Sequence, residues 1–214
     1  STNKRRSAHA PMSLMPLWIQ KLNPATPLKR VVVSPDFLQA EPLVRELEER
    51  FTDLGEVIYK ARNTIRIMAG PTGKIVVKRF GKIFLANRIV YAWIRPSKAR
   101  RSFLNARELL RRGAATPAPI AYTEQFRSGA LSDSMYVYAY YAGDDNMRRV
   151  LKEKDYPDRE ALLSSFARYA CSLLDKGIFH KDFSPGNILF EKGVSGYRFT
   201  LIDINRVEFG PVAP

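Results

Sequence analysis

The sequence is poor in cysteine and histidine, and this limits the chemistry that it can support. Its 214 residues include one cysteine, Cys171, and two histidines, His9 and His180. A single cysteine excludes a disulfide within the chain, which fits a reducing compartment such as the cytosol. Two histidines far apart in the sequence argue against a metal site built from histidine and cysteine.

The sequence also lacks long hydrophobic runs. No stretch approaches the roughly 18 uncharged apolar residues of a membrane-spanning helix. Residues 1–29 contain four prolines and no acidic residue, and their apolar part is interrupted too early for a secretory signal peptide. We interpret 1–29 as a basic leader, linker or remnant of expression that is partly disordered.

Acidic residues are almost absent from one window of the chain. Between Lys60 and Arg112 there are 15 lysines and arginines and one acid, Glu108, so this window accounts for the formal net charge of +14. Such a field attracts polyanions, for example nucleic acid, anionic lipid or a phosphorylated sugar. The alternative is a well-solvated basic surface without a specific partner.

Part of this window, "FLANRIVYAWIR" (84–95), is predicted to be a helix that stops before Pro96. Its apolar residues (Phe84, Leu85, Ile89, Trp93) and its arginines (Arg88, Arg95) suit an amphipathic helix lying on an anionic membrane. Alternatively, the apolar side packs against the rest of the protein while the cations meet solvent. Both contacts can coexist on opposite faces of one helix.

The hydrophobic spacing predicts an α+β protein with a cleft between two lobes. Strands are expected at 30–37 and 74–80, in "EVIYKARN" and "TIRIMA" (56–69) on the two sides of a short turn, and in "APIAYTEQF" and "SMYVYAYY". Helices are expected between them at 41–55 and 97–113. Helices are expected at 146–154 and 158–177, followed by a hairpin around "GVSG". We place the β-rich N-lobe at 30–138 and a reduced helical C-lobe at 139–214.

The segment "HKDFSPGNILF" (180–190) and the following "LIDIN" carry a pattern that suits phosphoryl transfer. That reaction needs a carboxylate near the attacking hydroxyl, oxygen ligands for Mg²⁺, and a lysine that contacts the phosphates and is held by an acid. The candidates, in that order, are Asp182, Asn187 with Asp203, Lys78, and Glu108. As alternatives, Asp182 and Asn187 could only cap a turn, and Glu108 could only pair with Arg111 or Arg112 along its own helix.

The pattern H-x-D-x-x-x-x-N, followed by a strand-borne "ID", resembles the protein-kinase-like superfamily. The segments "GIFHKDFSPGNILF", "LIDINR", "VVKRF", "NRIVY" and "LLRRGAATPAPIAY" together resemble the lipopolysaccharide kinase (Kdo/WaaP) family. This resemblance covers roughly residues 30–210 and implies a two-lobe, protein-kinase-like fold that binds ATP and Mg²⁺.

The resemblance also implies a role for each candidate. Asp182 would be the catalytic base or the group that orients the hydroxyl, and Asn187 and Asp203 would be the Mg²⁺ ligands. Lys78 would contact the α- and β-phosphates, with Glu108 as its partner. His180 would be a structural member of the loop, and backbone groups from Ala139 to Tyr141 would contact adenine.

Some expected features of the superfamily are missing. The glycine-rich phosphate loop is replaced by "KARNT" (60–64), so Arg62, Asn63 and backbone amides would cover the phosphates. "DIN" stands in place of "DFG", and Lys181 stands in place of the arginine of "HRD". Eleven residues follow Asp203, which suggests a minimal or truncated C-lobe.

We therefore expect an ATP-dependent kinase that transfers the γ-phosphoryl group to a sugar hydroxyl, on Kdo or heptose, of the lipopolysaccharide inner core. It would work in the cytoplasm, at the inner membrane of a Gram-negative bacterium, with peripheral contact through the basic 60–112 region. One alternative is a catalytically weak kinase-like protein that binds anionic lipid or a protein partner. A nucleic-acid-binding module is a weaker alternative because no groove-reading motif is present.

Overall fold

A computed structural model describes residues 28–81, 96–127 and 130–212. The predicted helix at 84–95 and nearly all of the predicted leader lie outside these residues. Within them, no helix is long and apolar enough to cross a membrane.

The first half of the chain forms a six-stranded antiparallel sheet in the order β1-β5-β6-β4-β3-β2. Its strands are β1 (Leu28–Val33), β2 (Glu56–Lys60), β3 (Asn63–Gly70), β4 (Gly73–Phe80), β5 (Pro119–Arg127) and β6 (Ala130–Ala139). The two central strands, β6 and β4, pair in a register that puts Lys78 opposite Tyr136. This register therefore fixes the position of the predicted phosphate-binding lysine.

Alternation along the central strands gives the sheet two different faces, because successive side chains of a strand point to opposite sides. On β4, Ile75 and Val77 are buried in one core cluster, which also contains Val44 and Leu47 of helix α1 (Glu41–Arg50). Lys78 lies next to Val77 and so points to the opposite face. Helix α1 therefore covers one face of the sheet, and Lys78 belongs to the other.

Helix α2 (Lys98–Arg111) lies on the face that carries Lys78. It begins at Ser97, whose side chain accepts a hydrogen bond of 3.0 Å from the Arg100 amide, as an N-cap residue does. Its buried residues, spaced three or four apart, are almost completely inaccessible to solvent (Ala99, Phe103, Ala106, Leu109). Their cluster also contains Ile204 and Val207, so α2 lies between the sheet and the segment that follows Asp203.

The second half contains two further helices and two small sheets. The helices are α3 (Met147–Lys152) and α4 (Arg159–Asp175). One sheet has the order β10-β9-β7 and consists of β7 (Asp145–Asn146), β9 (Ile188–Gly193) and β10 (Gly196–Leu201). The other sheet pairs β11 (Val207–Phe209) with β8 (Ile178–His180). This part contains the predicted catalytic loop, by which we mean the segment from His180 to Asn187.

The predicted α+β class is confirmed, and the helices and longer strands lie near their predicted positions. The strands β7, β8 and β11 were not predicted, because two or three residues are too few to show a period of two. Strand β10 ends at Leu201, so Asp203 lies two residues beyond the strand end and not within it.

The end of the described chain is held against α2 by one arginine. Arg112, which follows α2, donates through Nη1 to the carbonyl oxygens of Lys176, Gly177 and Gly210, at 2.7, 3.1 and 2.8 Å. Gly177 has φ +62°, and a Cβ atom there would lie 2.3 Å from the Pro211 oxygen. The close approach of these segments therefore requires glycine at position 177.

We predict that Gly177→Ala destabilises the protein more than Gly113→Ala. Gly113 has a similar φ of +69°, but a Cβ there would meet no atom closer than 3.8 Å. Gly113→Ala should lower the free energy of unfolding by about 1–2 kcal/mol through the left-handed backbone alone. Urea denaturation of both variants measures the difference, and equal losses would mean that the packing around Gly177 contributes nothing.

Candidate active site

Lys78 and Asp203 form an ion pair at the centre of the site. Lys78 Nζ lies 2.5 Å from Asp203 Oδ1. The side chain of Lys78 is 8% exposed, whereas that of Asp203 is 38% exposed. A buried lysine charge is costly unless it is paired, so Asp203 stabilises Lys78 where it lies. The open side of Asp203 leaves the pair accessible to a ligand.

Asp203 has an uncommon backbone conformation, with φ 54° and ψ 48° in the left-handed region. Aspartate tolerates this region better than most residues do. Asn205 Nδ2 donates a 2.8 Å hydrogen bond to Asp203 Oδ1, the oxygen that also contacts Lys78. Burial by itself raises the pKa of Asp203, but the charge and hydrogen bond of Lys78, followed by the bond from Asn205, lower it below the usual value. Asp203 is therefore an anion at neutral pH.

The catalytic loop is closed by hydrogen bonds between its ends. The side-chain Nδ2 of Asn187 donates to the Asp182 carbonyl at 3.0 Å, and the backbone amide of Asn187 donates to the Ser184 carbonyl at 2.9 Å. The Asn187 carbonyl in turn accepts a 2.9 Å bond from the Ile202 amide, one residue before Asp203. The structure thus brings Asp182, Asn187 and Asp203 together, as the sequence pattern predicted.

His180 connects this loop to the segment that carries Asp203. Its Nδ1 accepts a hydrogen bond from the Asp182 amide at 3.1 Å, and its Nε2 lies 3.2 Å from the Ile202 carbonyl. Because an amide can only donate, the proton of the neutral ring is on Nε2, which donates to Ile202. Burial lowers the pKa of His180, so the neutral form is favoured. These contacts are structural, as the resemblance implied.

The carboxylate of Asp182 is bound to an arginine that was not predicted to belong to the site. Arg206 Nη1 lies 2.8 Å from Asp182 Oδ1. Arg206 ends a 3-10 turn, Ile204–Arg206, directly after Asp203. Both side chains are well exposed, 40% for Asp182 and 56% for Arg206.

Several cations surround the Lys78–Asp203 pair. Lys98 lies in the first turn of α2, and burial is the main cause that lowers its pKa. The positive charges of Arg62, Arg101 and Lys78 lower this pKa further, whereas the negative charge of Asp203 raises it. These groups are therefore close enough to interact electrostatically. One carboxylate, that of Asp203, does not neutralise Lys78, Lys98 and Arg62, and the surplus positive charge favours binding of an anion with several charges, such as a polyphosphate.

The cleft beside the ion pair is lined by residues of the sheet, of α2 and of the Asp203 segment: Lys78, Ser102, Thr116, Pro117, Tyr136, Tyr138, Ile202, Asp203 and Ile204. Helix α2 contributes Ser102, which is buried and donates a 2.9 Å hydrogen bond to the Lys98 carbonyl. The residue that α2 presents to Lys78 is therefore a serine and not an acid.

The prediction that Glu108 pairs with Lys78 is wrong. Glu108 lies six residues after Ser102, which is a rotation of about 240° around a helix, so it faces away from the cleft. Its carboxylate accepts hydrogen bonds of 2.7 Å from both Arg111 and Arg112. These bonds lower the pKa of Glu108 to about 2. The alternative pairing along its own helix is the one observed, and Asp203 takes the place of Glu108 beside Lys78.

The predicted adenine-binding segment is only partly available for hydrogen bonding. The Ala139 amide donates to the Ala118 carbonyl at 2.9 Å, and the Tyr140 amide donates to the Lys74 carbonyl at 3.0 Å. Neither can donate to a bound base as well. The Tyr141 amide makes no hydrogen bond within the described part of the chain, and it is the donor that this segment can offer.

The turn predicted to cover the phosphates is packed against the end of β4. Asn63 Oδ1 accepts a 3.4 Å hydrogen bond from the Gly81 amide, and a Cβ on Gly81 would lie 1.8 Å from the Arg62 carbonyl. Asn63 therefore holds the turn in place. Arg62 lies near Lys98, as the pKa of Lys98 shows, and remains a candidate for phosphate contact.

The two predicted metal ligands suit Mg²⁺. Asp203 Oδ2 and Asn187 Oδ1 make no hydrogen bond among the described residues. Mg²⁺ prefers oxygen donors and is commonly held by one or two protein ligands together with substrate phosphates. One carboxylate oxygen and one amide oxygen beside a cation cluster fit that pattern.

Sequence reasoning missed Lys98, Asn205 and Arg206. The latter two follow Asp203 within "DINR", a segment that was considered only for its aspartate. Lys98 was one of many cations in the basic window, and no sequence signal separated it from its neighbours. Its importance arises only because the N-terminal turn of α2 lies beside Asp203.

We predict that Lys78→Met raises the dissociation constant for ATP by about tenfold or more, because a charge-assisted hydrogen bond contributes roughly 1.5–3 kcal/mol. Glu108→Gln is the control: it removes the charge that was first expected to hold Lys78. It should change the constant by less than about twofold, since Glu108 faces away from the cleft. Isothermal titration calorimetry measures both. Equal weakening of ATP binding by the two variants would mean that Glu108 supports Lys78 after all.

Comparisons with known proteins identify the family and the fold. Among curated proteins, ribosomal protein S6 kinase 2 alpha of Xenopus laevis is 26% identical over 136 residues, which are 62% of this chain. The chain spans 17% of the length of that kinase. Among solved structures, WaaP in complex with acyl carrier protein aligns over 86% of this chain and 75% of its own, with a TM-score of 0.57 and 17% identity. The fold is therefore kinase-like, as predicted.

A second solved structure, WbdD, aligns over 74% of this chain and 34% of its own, with a TM-score of 0.48 and 18% identity. The family model described as the lipopolysaccharide kinase (Kdo/WaaP) family matches residues 41–209. That range includes the ion pair, the catalytic loop and Arg206. By its sequence and its fold, the chain belongs to the lipopolysaccharide kinase (Kdo/WaaP) family.

Proposed function

We propose that this protein transfers the γ-phosphoryl group of ATP to a sugar hydroxyl, on Kdo or heptose, of the lipopolysaccharide inner core. The observation that carries the proposal is the connection of Lys78, Asp203, Asn187 and Asp182 through an ion pair and hydrogen bonds, from segments up to 125 residues apart. Packing alone gives no reason for this set. Family membership supplies the class of acceptor.

In this mechanism Asp182 orients the acceptor hydroxyl and takes its proton as the oxygen attacks the γ-phosphorus. A bond forms between the acceptor oxygen and the γ-phosphorus, and the bond from that phosphorus to the β–γ bridging oxygen breaks, which leaves ADP. Asn187 and Asp203 would hold Mg²⁺, which neutralises phosphate charge when bound. Asn187 also fixes the backbone of Asp182, since Nδ2 donates to the Asp182 carbonyl.

The cation cluster takes the place of a glycine-rich loop. Lys78 contacts the phosphates from the floor of the cleft, and Arg62 and Lys98 approach from the turn after β2 and from the start of α2. Positive side chains and a helix N-terminus both stabilise phosphate charge. Lysine and arginine side chains would thus stabilise the phosphate charge that backbone amides stabilise in a glycine-rich loop.

The proposed location is the cytoplasmic face of the inner membrane. The basic window supports contact with an anionic surface there, although its central residues, 82–95, lie outside the described structure. Charge on Lys60–Arg112 also suits an acidic protein partner, and the related WaaP structure contains acyl carrier protein. Both partners are proposals for this chain.

A second candidate is a kinase-like protein with little catalytic activity that binds anionic lipid or a protein partner. The specific observation in its favour is the ion pair between Arg206 and Asp182, which occupies one of the two oxygens of the proposed catalytic base. The preserved set of Lys78, Asn187 and Asp203 favours the kinase.

We predict that the wild-type protein transfers ³²P from γ-labelled Mg·ATP to Kdo-containing lipid A and that Asp182→Asn reduces the rate by at least about a hundredfold. ATP binding by Asp182→Asn should stay close to wild type, because this carboxylate does not contact Lys78 or Asp203. Label on the lipid that persists in the variant would remove Asp182 from catalysis. If the wild type binds ATP and labels no inner-core acceptor, the kinase-like binding protein is the better description.

A further inference from the structure

We propose that Arg206 is a displaceable counter-ion of Asp182 and that it makes the enzyme select acceptors that carry an anionic group near the reacting hydroxyl. The proposal rests on the proposed kinase function and specifies the acceptor further. It follows from the ion pair between Arg206 and the Asp182 carboxylate and from a second arginine at the other end of the same loop.

The guanidinium of Arg206 occupies one of the two oxygens of the Asp182 carboxylate. Arg206 Nη1 and Asp182 Oδ1 are 2.8 Å apart, and this is the contact that the Arg206 side chain makes with the described residues. An acceptor hydroxyl must approach the same carboxylate within hydrogen-bond distance before its proton is transferred. Arg206 therefore lies beside the position that the hydroxyl must take.

Arg206 can leave Asp182 at little structural cost. Its side chain is 56% exposed and that of Asp182 is 40% exposed, and exposed ion pairs contribute little to stability. The backbone of Arg206 is anchored separately, because its carbonyl accepts a 3.0 Å bond from the Lys181 amide. The guanidinium can thus change partner while the 3-10 turn stays in place.

A second cation lies against the other end of the loop. Arg148, in the first turn of α3, approaches Gly186 so closely that a Cβ there would lie 2.5 Å from Arg148 Nη2. Arg148 is exposed and makes no ion pair within the described part of the chain, whereas its neighbour Arg149 pairs with both Asp145 and Glu153. The loop that carries Asp182 is therefore bordered by positive charge at both ends.

A carboxylate or phosphate on the acceptor is the group that suits this arrangement. Guanidinium groups bind both anions through paired hydrogen bonds. When the anion of the acceptor binds Arg206, the guanidinium leaves Asp182, and both carboxylate oxygens become available to the hydroxyl of the same molecule. A neutral acceptor offers Arg206 no replacement for Asp182, so Oδ1 stays paired and one oxygen is left for the hydroxyl. Arg148 adds attraction for the same anion.

The test compares two acceptors that differ only in charge. They are Kdo-bearing lipid A and the same lipid with its Kdo carboxylates converted to carboxamides. The wild type should show a kcat/KM at least about tenfold higher for the acid, equivalent to about 1.4 kcal/mol of discrimination. Arg206→Gln should lose most of this preference, and Arg206→Lys, which keeps the charge, should retain part of it.

Arg198→Gln is the matched control, since Arg198 is an exposed arginine in a 2.9 Å ion pair with Glu191 on the β9–β10 hairpin. It should leave the preference intact. ATP affinity of Arg206→Gln within about twofold of wild type would show that the variant is folded. Equal use of both acceptors by the wild type, or a preference that survives in Arg206→Gln, overturns this proposal alone. Absence of transfer to these two acceptors and also to a heptose-containing inner core, with ATP still bound, overturns the proposed function itself.

Discussion

The ion pair between Lys78 and Asp203 is the interaction on which the rest of the site depends. It joins a central strand of the first sheet to the segment after β10, across 125 residues of sequence. The lysine is buried on the face of β4 opposite α1, so its charge requires a partner, and the cleft-lining residue that α2 contributes is Ser102, which is not an acid. The carboxylate that stabilises Lys78 is thus also the predicted metal ligand, and we propose that nucleotide and metal binding are coupled through this one residue.

Backbone hydrogen bonds, more than side-chain pairs, set the geometry around that ion pair. The Ile202 amide binds the Asn187 carbonyl, and the His180 ring binds the Asp182 amide and the Ile202 carbonyl. These bonds fix the loop and the Asp203 segment relative to each other. The neutral imidazole suits this role because it offers one donor and one acceptor, and burial lowers its pKa.

Local patterns predicted the fold better than they predicted the pairing of charges. The helices and long strands follow from hydrophobic spacing, and the hairpin around "GVSG" brought Asp203 to Asn187 as expected. Glu108 was placed incorrectly because its isolation among cations says nothing about the face of α2 on which it lies. Arg206 was missed because its partner, Asp182, is 24 residues away, and no local period relates two residues across that separation.

The most direct test of the central role of the Lys78–Asp203 pair is the Mg²⁺ dependence of nucleotide affinity. Titration calorimetry with a non-hydrolysable ATP analogue, with and without Mg²⁺, would be made on the wild type and on Asp203→Asn. The account predicts that Mg²⁺ strengthens binding to the wild type by about tenfold or more and that Asp203→Asn removes this gain. An undiminished gain in Asp203→Asn would contradict it, because the metal would then be held elsewhere.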